Sequence, residues 1–99
     1  MIPIEITVGI VNDDTSTLQA TVVAVVQLPC VPANGIMFER PDELGVELEL
    51  EGVAYSLRKQ MFYGSLEDYA NGDELDGAIE RWRQAGFVCD WRASVELAE

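Results

Sequence analysis

The chain has no histidine, two cysteines, and six basic residues against eighteen acidic ones. Each shortage removes a class of function. Without histidine, the side chain that most often moves protons near neutral pH is missing. Acid–base catalysis would fall to carboxylates, but these lie in runs that read as exposed. A chain this short also offers little cleft for a glycosidase-type pair. Cys30 and Cys89 make neither a CxxC pair nor a disulfide framework. A bridge between them needs Cα atoms within about 7 Å, and two reduced thiols in a cytoplasmic protein is the simpler expectation. Cys30 has no base near it in sequence and Cys89 falls on an inward position, so neither reads as a nucleophile. So few Lys and Arg cannot neutralise the phosphates of DNA, RNA or an anionic membrane. No apolar run reaches the ~20 residues of a bilayer span. The segment from Met1 to Asp14 lacks the basic start and cleavage site of a signal peptide. Glycine-rich phosphate loops, internal repeats and low-complexity tracts are absent as well.

What is present is an ordinary folding composition with an extreme charge. The 99 residues are 48% hydrophobic and 24% charged, which argues against disorder. They are expected to form a single domain over residues 1–99, able to bury a core without metal or disulfide. The formal net charge is -12. Such a surface favours a protein partner with a basic face and association that speeds up at low salt.

Hydrophobic alternation predicts strands. Ile2, Ile4, Ile6, Val8 and Ile10 alternate with polar or small residues, and Pro3 suggests a strand that starts at a sheet edge. After a turn over Asn12–Ser16, a second strand runs from about Thr17 to Leu28. Leu18, Ala20, Val22, Ala24, Val26 and Leu28 form its inward set. Val23 and Val25 imply that its second half is covered on both faces. Pro29 to Gly35 is a breaker, followed by a short strand from Ile36 to Glu39.

The most regular stretch is Gly45 to Tyr63. Val46, Leu48 and Leu50 alternate with Glu47, Glu49 and Glu51, then Val53, Tyr55 and Leu57 alternate with Ala54, Ser56 and Arg58. A two-residue turn at Glu51-Gly52 would pair Leu50 with Val53, Leu48 with Tyr55 and Val46 with Leu57. Gly64 then ends the strand, and Ser65 to Ala70 reads as a helical turn capped by Ser65. A helix follows from Asp73 or Glu74 to about Ala85, with Leu75, Ala78, Ile79 and Trp82 on one stripe and Gly86 as its stop. Asp73 and Asp76 stand at capping-box spacing. Their segment fails calcium-loop spacing because Leu75 occupies a ligand position. Gly77 suggests a close crossing over a sheet. A last strand turns Phe87, Cys89, Trp91, Ala93, Val95 and Leu97 inward. The fold class is α+β: a mostly antiparallel sheet of about six strands, able to curl into a partly open barrel, packed on one main helix in the order β-β-β-β-β-α-β.

No cofactor or metal is expected, and the chain reads as non-enzymatic. Its functional signal is two acidic clusters. Glu39, Asp42, Glu43, Glu47, Glu49 and Glu51 form the first. Glu67, Asp68, Asp73, Glu74 and Asp76, with Glu80, form the second. Glu47, Glu49 and Glu51 would make a row with steps of about 6.6 Å on one strand. Such a row suits an inhibitor that occupies the site where nucleic-acid phosphates would lie on a basic effector. In size and charge the chain is similar to phage-encoded anti-CRISPR and anti-restriction proteins that act as DNA mimics. The alternative is a structural or assembly subunit that oligomerises through a strand edge. Tyr63 and Tyr69 are the aromatics expected to be exposed, while Trp82 and Trp91 are expected in the core.

Overall fold

The computed structural model describes residues 1–41 and 46–93. The elements in order are β1 (Ile2–Asn12), β2 (Leu18–Leu28), β3 (Met37–Glu39), β4 (Glu47–Glu49), β5 (Glu51–Ser56), β6 (Met61–Ala70), a 3-10 turn (Gly72–Glu74), α1 (Leu75–Gln84) and β7 (Val88–Arg92). Among the described residues the strands form a five-stranded sheet, β5-β6-β1-β2-β7, and a two-stranded flap of β3 and β4. The larger sheet is open, with β5 and β7 at its edges. It is mixed rather than antiparallel, because β6 runs parallel to β1. A parallel pair cannot be joined by a tight turn, and here β2 and the flap intervene.

Alternation sets the two faces. Ile4, Ile6, Val8 and Ile10 are fully buried, as are Ala20 and Val22 on β2, which stand across from Ile10 and Val8 respectively. Two excursions of the chain cover this face. The flap between β2 and β5 brings in Leu48 and Leu50, and α1 between β6 and β7 brings in Leu75, Ala78, Ile79 and Trp82. All of these share one continuous core. The helix stops as expected at Gly86, whose φ of 100° lies in the left-handed region that favours glycine. The Phe87 N–H donates to the Trp82 carbonyl (3.0 Å) and the Gly86 N–H to the Arg83 carbonyl (3.0 Å). Those are the two bonds of a Schellman motif, and its apolar contact is Trp82 against Phe87, edge to face with ring centroids 5.0 Å apart. No helix among the described residues is long and apolar enough to cross a membrane.

Several expectations are corrected. Residues 46–58 do not form a hairpin. The Leu50 N–H donates to the Ile36 carbonyl (2.8 Å) and its carbonyl accepts from the Gly35 N–H (2.8 Å). Both backbone groups of Leu50 are therefore spent on the flap and cannot pair with Val53. Gly52, at φ 64°, redirects the chain into the larger sheet. The real hairpin is β5–β6, which turns over residues 57–60, so Leu57 is exposed rather than buried. Ser65–Ala70 is strand, not helix. Leu66, Asp68 and Ala70 alternate inward, and pairing with β1 overrides the local helical signal.

β1 as a whole is central, and only its start at Pro3 lies at an edge. Its ladder to β6 begins only at Ile4, which leaves one side of Pro3 open. Gly77 crosses nothing: a Cβ there would meet no atom within 4 Å. The expected Asp73–Asp76 box is replaced by Asn71 and Glu74, where the Asn71 N–H donates to Glu74 Oε1 (3.3 Å). Val95 and Leu97, and with them the end of the last strand, lie outside the described residues.

Candidate functional site

The face of the large sheet opposite the flap and helix carries no covering element among the described residues, and it is rich in apolar groups. Pairing lays it out in rows. Tyr63, Glu5 and Val25 lie abreast on β6, β1 and β2. The next row is Glu51, Ser65, Thr7, Val23 and Val88, followed by Glu67, Gly9, Thr21 and Trp91. Tyr69, Val11 and Leu18 close the face.

Two irregularities enlarge this surface, and each overturns an expectation. A register shift between Ile10 and Val11 pairs Val11 with Leu18, so Leu18 stands on the open face instead of in the core. A second shift opposite Thr21 and Val22 makes Asp90 an extra residue, held by the Thr21 hydroxyl (2.5 Å). It turns Trp91 outward, where it is 46% exposed. Val25 is 53% exposed, so the second half of β2 is not covered on both sides. Tyr63 and Tyr69 are exposed as expected.

At the middle of the face is a hollow of about 260 Å³. It exists because Gly9 has no side chain and Thr7, Thr21 and Ser65 around it are short. Glu51 and Glu67 line it on one side and Leu18 on another. The Tyr69 hydroxyl donates to Glu67 Oε1 (2.7 Å). That bond is the main reason the Tyr69 hydroxyl titrates above its ordinary 10.0, with partial desolvation and the carboxylates of Glu67, Asp13 and Glu51 adding to it. The tilt is visible across the rows. Glu51 and Glu67 stand on the β5–β6 side, and Val23, Val25, Val88 and Trp91 make the β2–β7 side apolar apart from Asp90, whose carboxylate is held by Thr21.

The predicted acidic residues fall in four places. Glu39 and Glu47 stand directly across the flap from each other, with Glu49 one step on, all exposed. Glu51 leaves that row, because it belongs to β5 and lines the hollow on the other side of the molecule. Glu67 joins it there. Asp73, Glu74 and Asp76 sit on the 3-10 turn and helix start, where Asp76 takes Arg92 (2.6 Å). Asp42 and Glu43 lie outside the described residues.

Asp68 is not partner-facing at all. It is 1% exposed on the buried face. Its Oδ1 accepts from the Tyr69 N–H (2.8 Å) and from Arg40 Nη1 (3.3 Å). Its Oδ2 accepts from the Trp82 indole (2.9 Å), with Arg81 Nη2 at 3.9 Å. The group ties β6 to the flap and to the helix. The open face was missed from sequence, although Thr7-Val8-Gly9 in a strong strand was a signal for a shallow spot. Among the described residues no three acidic or thiol side chains cluster closely enough to hold a metal ion. No protein-family model matches the chain, and neither a curated protein nor a solved structure matches it significantly.

Proposed function

We propose that the chain is a small, acidic, non-enzymatic binding protein that blocks a basic site on a partner protein. One observation carries this reading. Five of its six basic side chains, Arg40, Lys59, Arg81, Arg83 and Arg92, lie within 4.0 Å of an acid of the same chain. The surplus behind the net charge of -12 is thus left to be met from outside, and among the described residues Glu39, Glu47, Glu49, Glu51 and Glu67 are exposed on strands and Asp76 and Glu80 on the helix. A partner that supplies cations would relieve repulsion already built into the fold. In its most specific form the partner is a nucleic-acid-binding effector and the acids stand in for phosphates, as in anti-CRISPR or anti-restriction inhibitors.

The test is competition. The chain is added to basic nucleases and CRISPR effectors holding a labelled duplex, and release of the duplex is measured. Salt-sensitive displacement supports the reading; failure to bind any basic protein at low salt removes it. The second reading, an assembly subunit, is favoured by the open sheet with β5 and β7 at its edges. Light scattering separates the two, since a salt-insensitive oligomer of the chain alone would favour assembly.

A further inference from the structure

We infer that the open face of the five-stranded sheet is the docking surface, and that its occupant is a protein segment placing an arginine or lysine in the hollow over Gly9. The inference rests on the reading of a basic partner and says where that partner sits. The cation would lie against Glu51 and Glu67, while apolar side chains of the same segment cover Val23, Val25, Val88 and Trp91.

Charge complementarity selects this occupant. A second copy laid on the same face would bring Glu51 and Glu67 of each chain toward those of the other, and both chains carry -12. A nucleic acid would meet the same repulsion from its phosphates. An apolar segment without a cation would desolvate two carboxylates and supply no counter-charge for either. A cationic side chain with apolar neighbours answers both halves of the face. The hydroxyls of Thr7, Thr21 and Ser65 around the hollow can accept further bonds from a guanidinium. Trp91 and Tyr69 at its margins offer ring faces to cations and apolar groups alike. The flap acids Glu39, Glu47 and Glu49 share their face with one large exposed apolar residue among those described, Met37 opposite Glu49, since Phe38 and Leu48 turn toward the core.

Heteronuclear NMR mapping on the full chain tests this with a short peptide of alternating arginine and leucine, and with its counterpart carrying glutamate for arginine. Saturable shifts are expected at the amides of Thr7, Gly9, Thr21 and Ser65 and at the Trp91 indole, with the arginine peptide only. Changing Glu51→Gln and Glu67→Gln together should weaken binding by about tenfold or more. Glu47→Gln with Glu49→Gln should leave it unchanged. Both pairs are exposed, so all four substitutions leave the fold intact, which a cooperative thermal melt of each variant checks. Shifts confined to the flap would sink this face and leave the basic-partner reading standing. No saturable shift with the arginine peptide would sink both. Shifts on the face that grow with protein concentration alone would assign it to a second copy.

Discussion

Asp68 shows how one residue can be misjudged by its charge. It lies between Glu67 and Tyr69 in an acidic run, yet its alternation places it beside Ile10 on the buried face. Removing one partner of a buried ion pair leaves the others uncompensated, typically at about 3–5 kcal/mol. The Asp68→Ala change is expected near the lower end, about 3 kcal/mol, because the Arg81 side chain remains 25% exposed and can rehydrate. Urea denaturation followed by tryptophan fluorescence measures it, and a loss below about 1 kcal/mol would mean the group is only a surface-like pair. Tyr69 gives a second expectation. Its folded pKa lies above the unfolded value, so its contribution to stability is complete below pH 10.0 and is lost as pH rises through the higher folded value. An ultraviolet phenolate titration should show one of the three tyrosines ionising late. In Glu67→Gln that late step should move down, since the charged acceptor that holds the proton is gone. A late step that persists unchanged would assign it to another tyrosine.

At the scale of elements, a strand glycine and a helix glycine separate cleanly. A Cβ at Gly64 would stand 3.0 Å from Leu50 Cδ1 and 3.4 Å from the Glu51 carbonyl, where the chain passes from flap to sheet. Gly64→Ala should therefore destabilise by about 1–3 kcal/mol through overpacking. Gly77 is exposed on a helix with nothing near it, so Gly77→Ala should stabilise by about 1 kcal/mol. Thermal melts of both variants check the opposite signs, and a neutral Gly64→Ala would show that Leu50 yields freely. The same contrast explains what could be read in advance. The alternation of β1, the helix stripe with its Gly86 stop, and the inward Leu48 and Leu50 are local patterns, and they are where they were expected. The partner of Leu50 is not local, because the choice between Val53 and Ile36 depends on a chain arriving from fifteen residues upstream of the turn region, about the span of a short loop closure. The extra residues Gln19 and Asp90 likewise leave no mark in the alternation, yet they decide whether Leu18 and Trp91 are core or surface. The acids of the candidate site were legible as composition. The face that organises Glu51 and Glu67 was not, because it depends on which side both excursions of the chain happen to cover.

For the whole molecule the deciding quantity is the balance between its ion pairs and its surplus charge. Lys59–Glu5, Arg83–Glu80 and Arg92–Asp76 are exposed pairs, each worth about 0–1 kcal/mol and weakened by salt. Against them stands the self-repulsion of a net charge of -12, which salt also weakens. The repulsion involves many more charge pairs and extends over the Debye length, about 30 Å at 0.01 M but only ~8 Å at 0.15 M. The Asp68 cluster is buried and changes little. Repulsion should therefore dominate, and the melting temperature should rise as sodium chloride is added. Association with a basic partner has the opposite dependence, because screening removes the attraction that steers encounter. The two slopes read the same charges in two roles. Calorimetry across a salt series gives the first, and stopped-flow association with the arginine–leucine peptide or a captured effector gives the second. A melting temperature that falls with salt would mean the exposed pairs outweigh the surplus. In that case the acidity would not be a stability cost held in reserve for a partner, and the binding reading would lose its physical motive.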